Sequence, residues 1–418
     1  MRRYDIDALR VIVFGLLIVV HIFNFFESKV WIIDNSVTYD WLDYPQWFLS
    51  QWRLSLLFVI SGIGTFFNIS KKTGWEFVKE RFKRVVLPLV IGILFIIPTV
   101  VYFQRLNAGL FTGNYLEFWI LKASIGVDPQ GNFSWLYLWL HLWYLVYLLI
   151  FSLLLIPVFL YLRSHQQVWM IRKTKCLASY KFGLYVLAIP LIIYELFLNP
   201  RFPPTHALVD DWHLLVDYCT LFFYGFLLMM LKDVLWENLM KNRQLYLMIG
   251  IAVFAFQMYM WLGVGIFPFK SEIWRITMAV YQWSMILALM GYAATYLNKP
   301  SRILSYANEA VYPFYILHLT VTVALGYYLK NIEMCFFIKF SIMAIGTFGI
   351  TWLIYEFGIR RISWVRPLFG MKRTEKEAIE LREDTLRKKC NFALKNNNNL
   401  SSSNNDTFRP NSEKYDKR

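Results

Sequence analysis

Residues 7–26 read DALRVIVFGLLIVVHIFNFF, an apolar run broken inside by Arg10 and His21. An α-helix needs about 20 such residues to cross the hydrocarbon of a bilayer. Eleven steps at ~100° bring the second ionisable side chain to within roughly 20° of the first, and at ~1.5 Å per step the two lie ~16 Å apart. They therefore share one helix face, Arg10 near the membrane surface and His21 well inside. Ionisable groups at that depth are costly and tend to mark function. The run is too long for a signal-peptide core and no small-residue cleavage site follows, so it is expected to stay as a transmembrane helix.

Working outward, similar runs recur along the chain. Of its 418 residues, 57% are hydrophobic, 19% aromatic and only 17% charged, the last against roughly 25% in soluble proteins. No soluble fold could hide so much apolar surface, and the alternation of a membrane barrel strand is absent. The pattern predicts an all-α polytopic membrane protein with about ten spans: 9–27, 46–68, 85–103, 138–162, 180–198, 212–231, 244–263, 276–297, 310–329 and 334–357.

Charge supports that count. One set of connections is basic: Arg2 and Arg3, Lys71 to Arg84, Arg163 to Lys175, Lys232 to Arg243, Lys299 and Arg302, and the tail. The alternate set holds Lys29 against Asp34, Asp40 and Asp43, and Arg201 against Asp210 and Asp211. The positive-inside rule then expects both termini in the cytoplasm. The net charge of +15 is thereby absorbed by topology, and no basic face with exposed aromatics remains for nucleic acid. Cys176, Cys219, Cys335 and Cys390 lack metal-ligand spacing and read as free thiols.

Two regions are not simple spans. Residues 104–137, with Gly109, Gly113, Gly126, Pro129 and Gly131, are long enough for an extracytoplasmic lid or re-entrant piece. Residues 372–418 begin with KRTEKEAIELREDTLRKK and pass into NNNNLSSSNND, a tract too polar to bury a core and expected to be disordered. Domains are therefore drawn at 1–371 for the membrane part and 372–418 for the tail.

Each polar residue at depth carries two readings. Arg10 is a snorkelling anchor for Asp5 and Asp7, or a guanidinium that grips phosphates. His21 is a hydrogen-bonded packing residue, or a base for a hydroxyl nucleophile. His318 in YPFYILHL offers an interhelical hydrogen bond or a second catalytic group. Arg53 binds an anionic acyl group or sugar, or pairs with an outer-loop aspartate. Glu356, with Arg360 and Arg361, ends the last span, where the arginines read first as anchors. Asp210, Asp211, His213 and Asp217 line a glycan entrance, or form a polar loop. Ser61-Gly62-Ile63-Gly64 reads as a close helix contact and not as a nucleophile elbow, lacking strand–turn–helix context. No phosphate-cradling glycine loop or metal cluster stands out.

The segments RYDIDALRVIVFGLLIVVH, SLLFVISGIGTFF, ERFKRVVLPLVIG, HLWYLVYLLIF, VYPFYILHLTV and YEFGIRR, in that order across residues 4–361, resemble the acyltransferase-3 family of integral membrane enzymes. The resemblance implies transfer of an acyl group from cytoplasmic acyl-CoA, acetyl-CoA or succinyl-CoA, to a hydroxyl of an extracytoplasmic glycan or glycolipid at a bacterial inner membrane. No bound cofactor or metal is implied. The family's Arg-x10-His motif falls on Arg10 and His21, which makes His21 the expected base. Leu142-Trp143-Tyr144-Leu145-Val146 stands where the O-antigen branch has an acidic pair. That departure, and Arg53-Leu54-Ser55, resemble the branch that modifies periplasmic glucans, often with succinyl groups. No soluble hydrolase-like domain is seen, so transfer is expected within the membrane portion. His21, Arg10 and His318 are then the expected catalytic set, with Arg53, His141, Trp143, Tyr315 and Glu356 contacting substrate. The rival class is a transporter or flippase with intramembrane Arg and His, against which stands the lack of paired halves with broken helices.

Overall fold

A computed structural model describes residues 3–70, 72–120, 126–166, 168–263 and 269–372. Arg2, Lys71 and the expected disordered tail with Cys390 lie outside these residues. Among the described residues the chain is all-helical apart from turns and one isolated bridge between Val127 and Phe133. Cys176, Cys219 and Cys335 are free thiols.

Ten apolar segments follow in order: α1 (Tyr4–Asn24), α2 (Asp43–Ile69), α3 (Gly74–Asn107), α4 (Trp135–Leu154), α5 (Gly183–Phe197), α6 (Trp212–Met230), α7 (Lys232–Trp261), α8 (Lys270–Tyr296), α9 (Arg302–Leu329) and α10 (Phe336–Arg360). Among the described residues nine are long and apolar enough to cross a membrane. The exception is α5, which replaces the full span expected at 180–198. It opens with a 3₁₀ stretch, Gly183–Leu187, before ten α-helical residues. At ~1.5–2 Å per residue it falls short of a ~30 Å hydrocarbon core.

Local chemistry explains several boundaries. Thr73 and Glu76 form a reciprocal capping box that starts α3. Within α3, π-helical turns at Phe82–Val86 and Gly92–Ile96 lie just before Pro88 and Pro98. Proline lacks an N–H and clashes with the preceding turn, and the widened turns absorb both defects. α9 starts at Arg302, eight residues before the expected 310, because Ser301 caps it by accepting from Leu304 N–H at 3.4 Å. Pro313 is therefore interior, and Asn308 and Glu309 ride on a helix rather than a loop.

The glycines of Ser61-Gly62-Ile63-Gly64 do bring helices together. A Cβ on Gly62 would stand 2.0 Å from the Phe222 carbonyl oxygen, and one on Gly225 would stand 2.0 Å from that of Val59. α2 and α6 thus touch backbone to backbone, the usual role of small residues where lipid offers no hydrophobic drive to association. The 104–137 stretch is shorter than expected, since α3 runs to Asn107. Its short helix Tyr115–Ile120 folds back along α3: Trp119 donates to the Leu94 carbonyl at 2.9 Å, and its ring stacks on Phe95.

Candidate active site

His21, on the last turns of α1, faces His318 on α9 with ring centroids 5.1 Å apart. His318 in turn faces His141 at 5.3 Å. His141 does not open a continuous helix as its sequence suggested. It sits in a break between Trp135–Trp139 and Trp143–Leu154, and the preceding Leu140 has φ 39° and ψ −121°. A branched residue held at positive φ is strained, and the strain aims His141 back into the bundle. Three histidines from three helices so converge on one space.

Backbone carbonyls fix two of these rings. His318 Nδ1 lies 2.8 Å from the Tyr315 carbonyl and 3.1 Å from that of Phe314. A carbonyl only accepts, so Nδ1 carries the proton and Nε2 presents a lone pair. Likewise His141 Nε2 donates to the Ile316 carbonyl at 3.0 Å, leaving Nδ1 as the lone pair. His318 Nε2, His141 Nδ1 and His21 Nδ1 are buried without hydrogen-bond partners among the described residues. Tyr315 is already committed, its hydroxyl donating to the His141 carbonyl. Trp31, from the α1–α2 connection, covers His21 at 6.1 Å between rings.

Arg53 on α2 is 6% exposed. Its Nε and Nη1 have no hydrogen-bond partner, and it forms no ion pair among the described residues. The outer-loop aspartate pairing is therefore not what holds it. It lies close enough for its charge to act on both His21 and His318. Buried donors without acceptors cost ~1–3 kcal/mol each, and among the described residues nothing offsets that cost for this guanidinium.

Arg10 lies at the other end of α1. Its Nη1 donates to Asn308 Oδ1 at 3.4 Å and lies 3.8 Å from Asp7 Oδ1. A Cβ on Gly64 would come within 3.6 Å of Arg10 Nη2, so the second glycine of the motif leaves room for the guanidinium. Between Arg10 and the histidines runs a thin polar column. Arg81 donates to Thr65 at 2.6 Å, Thr65 to the Ser61 carbonyl at 2.9 Å, and Ser61 shares a 2.6 Å hydrogen bond with Tyr144. Phe14 stands edge-on to both Tyr144 and Tyr315.

Other expected site residues lie elsewhere. Trp143 is stacked between His206, at 4.3 Å, and Tyr218. Burial holds the His206 imidazole below its usual pKa, with Asp211 pulling the other way. Glu356 sits at the N-terminal end of the bundle, accepting from Tyr306 at 2.8 Å and pairing with Arg360 and Arg361. The acidic group at the start of α6 splits. Asp211 organises its own loop by accepting from Thr205 and His206 N–H. Asp217 is buried on Gln282, which also donates to Ser55 at 2.7 Å. Sequence reasoning gave no site role to Arg81, Asn308, Tyr144 or Trp31. Arg81 had a signal, since it lies in ERFKR, but it counted as a loop charge. Among the described residues no group of three or more His, Cys, Asp or Glu is arranged to hold a metal ion.

The model of the acyltransferase domain, acyltransferase-3, matches residues 3–356, which takes in α1 through most of α10 and every residue of this cluster. The chain belongs to the acyltransferase-3 family. Comparison with curated proteins and with solved structures finds no match. Membership makes this a multi-pass membrane acyltransferase.

Proposed function

We propose that the protein moves an acyl group from cytoplasmic acyl-CoA to a hydroxyl of an extracytoplasmic glycan or glycolipid, at the histidine cluster around His21. The observation that carries this reading is the set of unpartnered atoms there: lone pairs on His318 Nε2 and His141 Nδ1, and donors on Arg53. A base and an oxyanion donor are the two things acyl transfer to a hydroxyl requires.

Arg10, held by Asn308 and Asp7, meets the donor's phosphates at the N-terminal end, and the pantetheine arm passes inward along α1. His21 removes the proton of the acceptor hydroxyl as its oxygen attacks the thioester carbonyl. The carbonyl oxygen becomes an oxyanion. His318 Nε2 cannot donate to it in its carbonyl-fixed tautomer and Tyr315 is committed, which favours Arg53 for that role. Collapse breaks the carbon–sulfur bond, and the thiolate takes the proton from His21. The charge pattern supports both termini on the cytoplasmic side, which requires α5 to complete an even number of crossings. A periplasmic-glucan acceptor and a succinyl donor are the finer assignment, supported by the resemblance.

The test is acyl transfer by purified protein in liposomes, with acetyl-CoA or succinyl-CoA as donor. His21→Ala should abolish CoA release, about a 10²–10⁴-fold loss for a positioned base, while inserting and folding normally. Near-normal transfer by His21→Ala would overturn the assignment.

A further inference from the structure

Tyr306, on the second turn of α9, lines three adjoining cavities. Two open at the end of the bundle that carries the N-terminus, one of about 530 Å³ beside Tyr4, Arg302 and Arg360, the other of about 690 Å³ beside Arg302, Trp352 and Arg361. The third, about 240 Å³, is an apolar groove walled by Phe14, Gly15 and Ile18 of α1, Val311 and Phe314 of α9, and Phe348 of α10. A void lined in this way stays dry. A Cβ on Gly15 would meet nothing within 4 Å, and the neighbouring Ile12 (46% exposed) and Ile345 (74% exposed) turn this side of the bundle towards lipid.

The mouth is positively charged. Arg360 and Arg361 share Glu356 at 3.1 and 3.4 Å, and Arg366 takes Glu309 at 2.6 Å. Arg302 is exposed and forms no ion pair among the described residues. Among the described residues the mouth thus gathers four arginines around two glutamates, Arg360 reaching Glu309 as well at 3.7 Å. Around them Trp352 (42%), Phe357 (52%) and Trp364 (70%) are exposed, an aromatic rim of the kind that marks headgroup depth. Trp352 donates to the Tyr306 hydroxyl at 2.9 Å, fixing the residue where the mouth meets the groove.

We propose that this is a seat for an anionic phospholipid of the surrounding leaflet. Its phosphate lies on Arg302 and Arg361, and one acyl chain fills the groove over Gly15. Basic pockets between membrane helices recognise such headgroups, and a dry groove that runs from the charge into the bundle matches the tail. The groove ends at Ile18, three residues before His21, and at Phe314, whose carbonyl orients His318. A seated lipid therefore braces α1 and α9, which carry His21 and His318.

The experiment uses the full chain in mild detergent. Retained phospholipid is quantified by mass spectrometry, and the thermal midpoint is followed as phosphatidylglycerol or phosphatidylcholine is added. The wild type should retain phosphatidylglycerol and be stabilised by it but not by phosphatidylcholine. Arg302→Gln with Arg361→Gln should lower retention about tenfold, the loss of ~1.4 kcal/mol of binding. Arg302→Gln alone, on an exposed side chain, serves should the double variant not fold. Gly15→Leu should lower retention with every arginine in place, which a purely electrostatic surface would not do. Equal response to the two lipids, or wild-type retention by the variants, overturns the proposal. Displacement of the lipid by acetyl-CoA at the same arginines would overturn it too, giving the seat to the donor. All readouts are binding and stability, so the outcome is independent of whether acyl transfer is observed.

Discussion

Replacing Arg53 with methionine should separate activity from stability. The guanidinium is 6% exposed and leaves Nε and Nη1 without partners. Each unsatisfied buried donor costs ~1–3 kcal/mol, and an uncompensated buried charge costs several kcal/mol more. Methionine keeps most of the apolar stem and removes both penalties, so Arg53→Met should be more stable than wild type by at least about 2 kcal/mol, the lower bound for two unsatisfied donors. Transfer should move the opposite way. Losing one oxyanion donor costs ~10²–10³ in kcat, about 2.7–4 kcal/mol. The assay pairs single-turnover CoA release from acetyl-CoA in liposomes with a thermal melt of the same preparation. A melt that falls together with activity would show Arg53 to be a structural residue. A kcat within tenfold of wild type would remove it from the oxyanion role. A loss confined to succinyl-CoA would assign it to the donor's carboxylate instead.

Asn308→Ala takes away the acceptor that positions Arg10, so KM for acyl-CoA should rise about fivefold, one hydrogen bond of ~1 kcal/mol, with kcat unchanged; steady-state kinetics at varied donor concentration checks both. Gly62→Ala sets a methyl against the Phe222 carbonyl at the α2–α6 contact and should destabilise by ~1–3 kcal/mol or prevent folding, read from the thermal midpoint in detergent, whereas Gly349→Ala meets nothing within 4 Å and should leave the midpoint unchanged. His206, with its pKa held down by burial, binds protons more readily in the unfolded chain. Stability should therefore fall as pH drops through about 6.5, and His206→Gln should flatten that slope between pH 7 and 5.5 in a pH series of melts.

Much of this was legible in the residues. Arg10 and His21 needed only the helical repeat to be placed on one face, because α1 runs as an unbroken α-helix from Tyr4 to Asn24. The glycines of Ser61-Gly62-Ile63-Gly64 announced a close contact because nothing else about them suits an apolar helix. Less could be read where the answer lies on a different helix. The apolar pattern put the start of α9 at 310, yet Ser301 caps that helix nine residues earlier and carries Asn308 to Arg10. Glu356 reads beside Arg360 and Arg361 at the end of the last span, and the fold adds its pairing with both and its bond from Tyr306 on α9.

By itself the sequence determined the class of the molecule, the nine helices that among the described residues are long and apolar enough to cross a membrane, and the two residues on α1 around which the chemistry is proposed. Those features follow from hydropathy, charge and helical periodicity, all of which are local. Only the tertiary structure decided which polar groups meet. It brought His141 and His318 to His21, left Arg53 without an ion pair among the described residues, fixed two imidazole tautomers through backbone carbonyls, and shortened α5. These depend on how helices far apart in the chain pack side by side, and in lipid that packing is set by small-residue contacts and interhelical hydrogen bonds, neither of which has a period along the chain.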